Sequence, residues 1–325
     1  MSVIRAVPQG CGHYLPARIV ENAEFEATLD TSDQWIRERS GIERRHFAAE
    51  GELTSDMACA AADAALTNAG IAARDIDALI LATATPDETF PSTATKVQCA
   101  LGITEGFAFD LQAVCAGFIY ALGTANAMIL SGQARTVMVI GAETFSRILD
   151  WNDRGTCVLF GDGAGALVLK AEPGTGTNAD RGILSTELRS DGRHHDLLYV
   201  DGGPSSTGSA GHVRMQGREV FRHAVEKLAQ AGETALDRAG LTSDDVAWVV
   251  PHQANLRIIK KTAARMGIDL SRVVVTVQNH GNTSAASIPL ALSVASAAGQ
   301  IKPGDLVLTE AIGGGLAWGA ATMRW

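Results

Sequence analysis

ALTNAGIAARDIDALILAT (residues 65–83) and ALDRAGLTSDDVAWVVPHQ (residues 235–253) align without a gap at an offset of 170. Ala65 falls on Ala235, Leu66 on Leu236, Ala69 on Ala239, Gly70 on Gly240 and Asp75 on Asp245. In each, a helix-like stretch is closed by glycine, which reaches the left-handed conformation of a helix end at least cost, and a short turn then leads into an apolar strand. A second pair recurs in the same order. FGDGAGALVL (160–169) and GGGLAWGAATM (313–323) each run from a glycine-rich turn into an apolar strand. Two such matches point to an internal duplication, with one half at residues 1–173 and the other at 174–325.

Outward from these segments, DALILAT, FAFDLQ, TVMVIGA and ALVLKA in the first half and AWVVP, VVVTVQ, LVLTEAI and ATMRW in the second read as strands between helix-like runs. Their apolarity is continuous rather than alternating, as expected of strands covered on both faces in a layered α/β protein. EPGTGTNADRG (172–182) has the composition of a linker, and GGPSSTGSAG (202–211) that of a surface loop.

The 325 residues are 46% apolar and 19% charged, within the range of soluble globular proteins. A net charge of -9 removes the attraction that nonspecific nucleic-acid or anionic-membrane binding depends on, so neither partner is expected. The five cysteines, Cys11, Cys59, Cys99, Cys115 and Cys157, are scattered and contain no CxxC pair. That argues against a disulfide framework or a zinc ribbon and fits a reducing, cytoplasmic setting. The N-terminal MSVIRAVPQGCGHYLP meets Pro8 and Gly10 before any long apolar run, so no export signal is read. Residues 113–130 have the length of a membrane span, but they carry Thr124 and Asn126 and lack a basic flank; a buried core helix is expected.

In FDLQAVCAGFIYAL (109–122), Cys115 stands where a strand gives way to that helix. A thiol at a helix N-terminus meets unpaired backbone N–H groups and the positive end of the helix dipole, which favour the nucleophilic thiolate and could also hold an oxyanion. Taken alone, Cys115 reads first as a small apolar residue of a core helix, and only partner residues overturn that. Three other stretches put polar groups in apolar surroundings. In WVVPHQANLRI, His252 lies past the C-terminal end of a buried strand, where α/β folds place function. NHGNTSAAS sets Asn282 in a turn before a small-residue helix, and AIGGGLAWG offers backbone at Gly313, Gly314 and Gly315 that a ligand can approach closely.

Together, FDLQAVCAGF, FGDGAGA, VPHQANLRI, HGNTSAAS and GGGLAWG resemble, in order and nearly letter for letter, the β-ketoacyl-acyl carrier protein synthase III family of the thiolase-like superfamily. The resemblance runs essentially end to end. It implies an α/β fold of two similar halves in a five-layered αβαβα sandwich, assembled as a homodimer. It also implies a decarboxylative condensation of a short acyl-CoA, acetyl-CoA first, with malonyl-acyl carrier protein at the start of fatty acid synthesis. Cys115 matches the acyl-accepting nucleophile, and His252 and Asn282 its two partners. The N–H groups of Cys115 and Gly314 match an oxyanion hole. No metal or redox cofactor is implied.

By the same resemblance, Trp35 and Arg39 in TSDQWIRERSG and Arg154 in DWNDRGT match CoA contacts. Phe90 matches a residue that reaches across the dimer into the neighbour's acyl pocket, and Ile312 stands where many members carry Phe. Two basic stripes repeat at i, i+4, i+8: Arg214, Arg218 and Arg222, and Arg257, Lys261 and Arg265 with Lys260 beside them. Such stripes are ordinarily solvated faces; an acidic carrier protein gives them a second use as a docking surface. His280 is read as structural, and His194, His195, Asp191, Asp196 and Asp201 as a polar loop without metal-ligand spacing. Two rival activities stay open: a relative of the family serving a secondary pathway, and a papain-like cysteine hydrolase in which Asn orients His.

Overall fold

The computed structural model of the chain describes residues 3–325. Its first half runs through β1 (Val3–Tyr14), the small antiparallel pair β2 (Arg18–Glu21) and β3 (Arg44–Phe47), then β4 (Ala78–Ala82), β5 (Phe107–Leu111), β6 (Thr136–Glu143) and β7 (Gly163–Gly174). Its helices are α1 (Ala23–Glu26), α2 (Asp33–Ser40), α3 (Thr54–Ala69), α4 (Thr93–Ala100) and α5 (Gly117–Leu130). The second half has β8 (Gly182–Ser190), the hairpin pair β9 (Leu198–Val200) and β10 (Val213–Met215), β11 (Trp248–Pro251), β12 (Leu306–Gly313) and β13 (Ala317–Arg324). Its helices are α6 (Gly217–Arg238), α7 (Leu256–Arg265), α8 (Val277–His280) and α9 (Ser287–Ala297).

The two large sheets repeat one order. The first is β1-β7-β6-β4-β5 and the second β8-β13-β12-β11, with β4 parallel to β6 and β11 parallel to β12 in matching places. α3 and α4 cover the outer face of the first sheet, α6 and α7 that of the second, and α5 and α9 lie between the sheets. The result is the five-layered, thiolase-like αβαβα sandwich, with apolar side chains of α5, α9 and both sheets meeting in one central core. No helix among the described residues is long and apolar enough to cross a membrane; residues 117–130 are α5, buried on most sides.

The strands depart from the sequence reading at one stretch it did not name and at one it named. VIRAVPQGCGHY forms the long strand β1 despite Pro8 and its glycines, because the ladder to β7 shifts register between Pro8 and Gly10. The glycines are there for the helix behind them: a Cβ on Gly12 would stand 2.3 Å from the Ala65 nitrogen of α3. VVVTVQ, by contrast, is no strand. It makes a single bridge, Val249 to Val273, and then turns into α8. The buried Gln253 side chain takes the place of a ladder there: its Nε2 donates to Val274 O (3.1 Å), and its Oε1 accepts from the Thr276 (2.8 Å) and Val277 (3.1 Å) nitrogens. At roughly 1 kcal/mol net for each such bond, one side chain supplies what a strand partner would.

The duplication is sharpest at two turns. Val114 and Ser284 are the only non-glycine residues with positive φ among the described ones, at 48° and 50°. Each opens a one-turn 3₁₀ segment, Val114–Ala116 or Ser284–Ala286, that feeds directly into α5 or α9. Left-handed backbone costs a side chain about 1–2 kcal/mol, and the same strained turn is built twice, face to face, at the middle of the molecule.

Candidate active site

Cys115 sits in the first of these turns, buried, at the entry to α5. The backbone of the glycine triplet presses against it: a Cβ on Gly313 would lie 2.7 Å from the Cys115 nitrogen and 2.9 Å from Ala113 O, and one on Gly314 would lie 2.6 Å from Leu198 O. Only glycine lets β12 end so close to the Cys115 backbone.

His252 follows β11, its backbone nitrogen held by Glu310 O at 2.8 Å. Its Nδ1 meets Ser287 Oγ at 2.6 Å, and that oxygen also accepts the Gln253 N–H at 3.3 Å. Among the described residues, Nδ1 is the one acceptor the Ser287 hydroxyl proton reaches, so Ser287 donates to Nδ1 and the ring proton sits on Nε2. Burial holds the imidazole pKa down to about 3, so the ring is a neutral donor. Asn282 is fixed by its backbone to the Leu159–Gly161 segment, and its Oδ1 accepts the Ser284 N–H at 2.9 Å. Its Nδ2 is left as the free donor.

Cys115, His252, Asn282 and Ile312 line the same cavity, about 740 Å³ in volume. The first comes from one half of the chain and the others from the second. Electrostatics corrects one expectation. The thiol is not held ionised: burial pushes its pKa up to about 12, and the Glu143 carboxyl adds to this, against the lowering by the Ser284 hydroxyl and its own backbone N–H. The desolvation penalty outweighs the dipole of the helix start at this depth. Glu143 itself is fully buried, its Oε2 accepting from Thr83 Oγ1 (3.2 Å), the Ala84 nitrogen (3.0 Å) and Thr85 Oγ1 (2.8 Å).

At the cavity mouth, Ser32 caps α2 by accepting the Trp35 N–H at 3.1 Å, and the indole that this fixes is covered by two guanidinium groups. Arg39 lies 4.7 Å and Arg154 5.1 Å from the ring centroid. Arg154 also pairs with Asp30 Oδ2 at 3.0 Å and bonds Asp30 O. Across the mouth, Asn255 caps α7 and donates to Arg39 O at 2.9 Å, tying α7 to α2.

The basic stripes separate on inspection. Arg214 is not on a helix: it lies in β10, held by Asp150 (2.8 Å) and Asp201 (2.6 Å). Arg222 is on α6 but paired with Glu219 at 2.7 Å. Both carry ion-pair partners, which the other members of the two stripes lack among the described residues. Arg218 and Arg257 line the cavity mouth, and Arg257 (5.4 Å) and Lys261 (5.3 Å) both lie over the Phe221 ring of α6. Arg218, Arg257, Lys260, Lys261 and Arg265 form no salt bridge among the described residues.

Phe90 does not line this cavity; its side chain is 82% exposed. Gly314, Lys260, Lys261 and Arg265 are likewise outside its lining. His280 stands half-buried and edge-on to His46 at 6.4 Å, away from the cavity. His194 and His195 pair with Asp191 and Asp196 near the surface. Sequence reading passed over Ser287, Ser284, Glu143 and Phe221. The serines stand in the quoted NTSAAS, where small polar residues at a buried helix start were the available signal.

The comparisons with known proteins agree on one family. The model described as 3-oxoacyl-[acyl-carrier-protein (ACP)] synthase III matches residues 109–192, and that of its C terminal matches residues 236–325. Proteins named beta-ketoacyl-[acyl-carrier-protein] synthase III from Ruegeria pomeroyi and Rhodobacter capsulatus are 72% and 70% identical to this chain, each alignment covering 99% of both sequences. The crystal structure of 3-oxoacyl-[acyl-carrier-protein] synthase III from Aquifex aeolicus VF5 superposes with a TM-score of 0.92 at 44% identity, covering 98% of this chain and 100% of that one. The priming beta-ketosynthase of the R1128 polyketide pathway gives 0.91 at 34% identity, over 99% and 96%. With its duplicated sandwich and a cysteine, a neutral histidine and an asparagine on one cavity, the chain belongs to the β-ketoacyl-[acyl-carrier-protein] synthase III family.

Proposed function

We propose that the chain joins a short acyl-CoA primer, acetyl-CoA first, to malonyl-acyl carrier protein by decarboxylative Claisen condensation, releasing CoA and CO2 and opening fatty acid synthesis. The observation that carries this reading is a buried nucleophile sharing one cavity with two uncharged donors. In the first half-reaction the Cys115 sulfur attacks the primer thioester, giving an acyl-enzyme and free CoA. The Cys115 and Gly314 N–H groups hold the oxyanion of that step. In the second, malonyl-acyl carrier protein loses CO2 and the remaining electron pair settles as an enolate on its thioester oxygen. His252 Nε2–H and Asn282 Nδ2–H stabilise that oxygen without protonating the carbon, which a charged imidazolium would do. The carbanion then attacks the acyl-enzyme. The sequence is redox-neutral, driven by CO2 loss, and calls on no cofactor.

Papain-like hydrolysis is disfavoured by the histidine's partner. In that relay an asparagine orients the ring, whereas here Nδ1 meets Ser287. Condensation with malonyl-acyl carrier protein across acyl-CoA primers from acetyl to medium-chain and branched tests the assignment. Acetyl-CoA or another short primer is expected to give the highest kcat/KM; preference for chains of about eight carbons or more would remove the priming role and favour a secondary pathway.

Trp35, Arg39 and Arg154 are the proposed CoA contacts, with Arg154 swinging from Asp30 to let the adenine stack. The carrier protein docks on Arg218 and Arg257 at the cavity mouth and on Lys260, Lys261 and Arg265 further along α7, cations without a salt-bridge partner among the described residues. The two surfaces predict opposite defects. Charge reversal at Lys261 and Arg265 raises KM for the carrier-borne substrate and leaves that for acyl-CoA unchanged, while Arg154→Ala does the reverse, each by roughly tenfold. Equal effects on both substrates would show that the surfaces are not separate.

A homodimer completes the reading. β5 is the edge of the first sheet, with an open row of backbone groups and a partly exposed Phe107–Phe109 stack. Pairing with a second copy at that edge would cover these groups and give the exposed Phe90 of each copy a place in its neighbour.

A further inference from the structure

Two buried oxygens beside the nucleophile have no partner. Glu143 Oε2 is saturated by three donors, yet its Oε1, equally buried, accepts nothing. Ser284 Oγ, also fully buried, makes no hydrogen bond that closes to normal geometry. Buried polar groups are almost always hydrogen-bonded, so an unsatisfied buried acceptor beside an unsatisfied buried hydroxyl calls for an explanation. Burial pushes both the Cys115 thiol and the Glu143 carboxyl above their ordinary values, and the hydroxyl lies close enough to each to offset part of that rise. The strained backbone of Ser284, with φ of 50°, sets it there, and its 3₁₀ turn packs against both the Cys115 turn and the end of β6.

We infer that Ser284 and Glu143 form the route by which the Cys115 proton leaves and returns. As the primer binds, the S–H bond breaks and its proton passes to Ser284 Oγ, while the hydroxyl proton passes to Glu143 Oε1. The thiolate forms, the carboxylate becomes a neutral acid, and the hydroxyl is restored. The thiolate displaces CoA thiolate, which takes a proton from solvent. In the second half-reaction the carbanion's attack expels the Cys115 thiolate, and the proton on Glu143 returns through Ser284. One proton is taken up overall, as the condensation requires. The pair holds a single negative charge throughout, so two buried anions never face one another.

Few charged or titratable groups surround this pair. Among the described residues, α5 and α9 carry no Asp, Glu, Lys, Arg or His, those of α3 (Asp56 and Asp63) are exposed, and Cys59 is a neutral thiol pushed up to about 11. Lys170 of β7 is exposed, His252 at the cavity is neutral, and on β12, which packs against the Cys115 turn, burial pushes Glu310 up to about 8, its Oε2 lying on the α6 side beside Gly232. The inference rests on Cys115 being the nucleophile, and Glu143 acts on it through Ser284 as a positioning residue.

The test is the pH dependence of the acyl-transfer half-reaction, followed by intact mass after rapid mixing with acetyl-CoA, in wild type, Glu143→Gln and Ser284→Ala. Proton transfer within the protein makes thiolate formation independent of bulk pH, so the wild-type rate is flat from about pH 6 to 8. With the acceptor or the relay removed, the proton must go to solvent, and the rate rises about tenfold per pH unit over the same range. Ser284→Thr, which keeps the hydroxyl, restores the flat profile. A uniform loss with unchanged slope in both variants assigns Glu143 and Ser284 a packing role and overturns the route while leaving the nucleophile in place. Absence of any wild-type adduct overturns both. Should Glu143→Gln fail to fold, the Ser284→Ala and Ser284→Thr profiles decide alone.

Discussion

Replacing Cys115 with serine is expected to abolish the acyl adduct and to lower overall condensation by at least about a thousandfold. The two side chains have nearly the same shape, so packing at the start of α5 is kept and the melting temperature should stay close to wild type. What is lost is ionisation. Burial already pushes the thiol to about 12, and a hydroxyl, intrinsically a far weaker acid, does not ionise at that position. Intact mass after incubation with acetyl-CoA gives the answer directly. An adduct of wild-type stoichiometry on the serine variant would assign the acyl group to another residue.

His252→Ala is expected to separate the two half-reactions. Acyl transfer needs the sulfur and the backbone N–H groups, none of which the substitution touches, so the adduct should form. Decarboxylation needs a donor on the enolate oxygen, and loss of one such donor from a preorganised site costs about 10²–10³ in rate. Because the ring titrates near 3, well below its ordinary value, its charge appears only as pH falls toward 3, and the wild-type decarboxylation rate should not decline through loss of the neutral ring between about pH 8 and 5. Release of CO2 from malonyl-acyl carrier protein, measured with preformed acyl-enzyme, checks both points. An equal loss of acyl transfer in the variant would make His252 the base for the thiol rather than a donor to the enolate.

The sequence carried the layers because burial on both faces leaves continuous apolar runs, and the duplicated Gly-closed helices carried the two-half plan. It hid β1, whose glycines answer to the α3 backbone behind them rather than to strand propensity. It also offered VVVTVQ as a strand, which Gln253 pre-empts from 20 or more residues away. Cys115, His252 and Asn282 were legible as types and as a resemblance; their convergence depends on two turns meeting from opposite halves. The protonation of the thiol was not legible, since it follows from depth and from Glu143, which in GAET looks like an ordinary strand end. Arg214 falls off the helical face of Arg218 and Arg222 because the i, i+4 spacing crosses the boundary at which α6 begins.

The shared middle layer has a consequence for biogenesis. The first 174 residues leave the ribosome with α5 docked on its own sheet but bare on the side that the later sheet and α9 will cover. Until that second portion emerges, a nascent chain carries a wide greasy patch, an invitation to holdase chaperones or to mispairing with a neighbouring nascent copy. Once made, the two halves share that one core, and melting should proceed as a single cooperative event despite the chain's size.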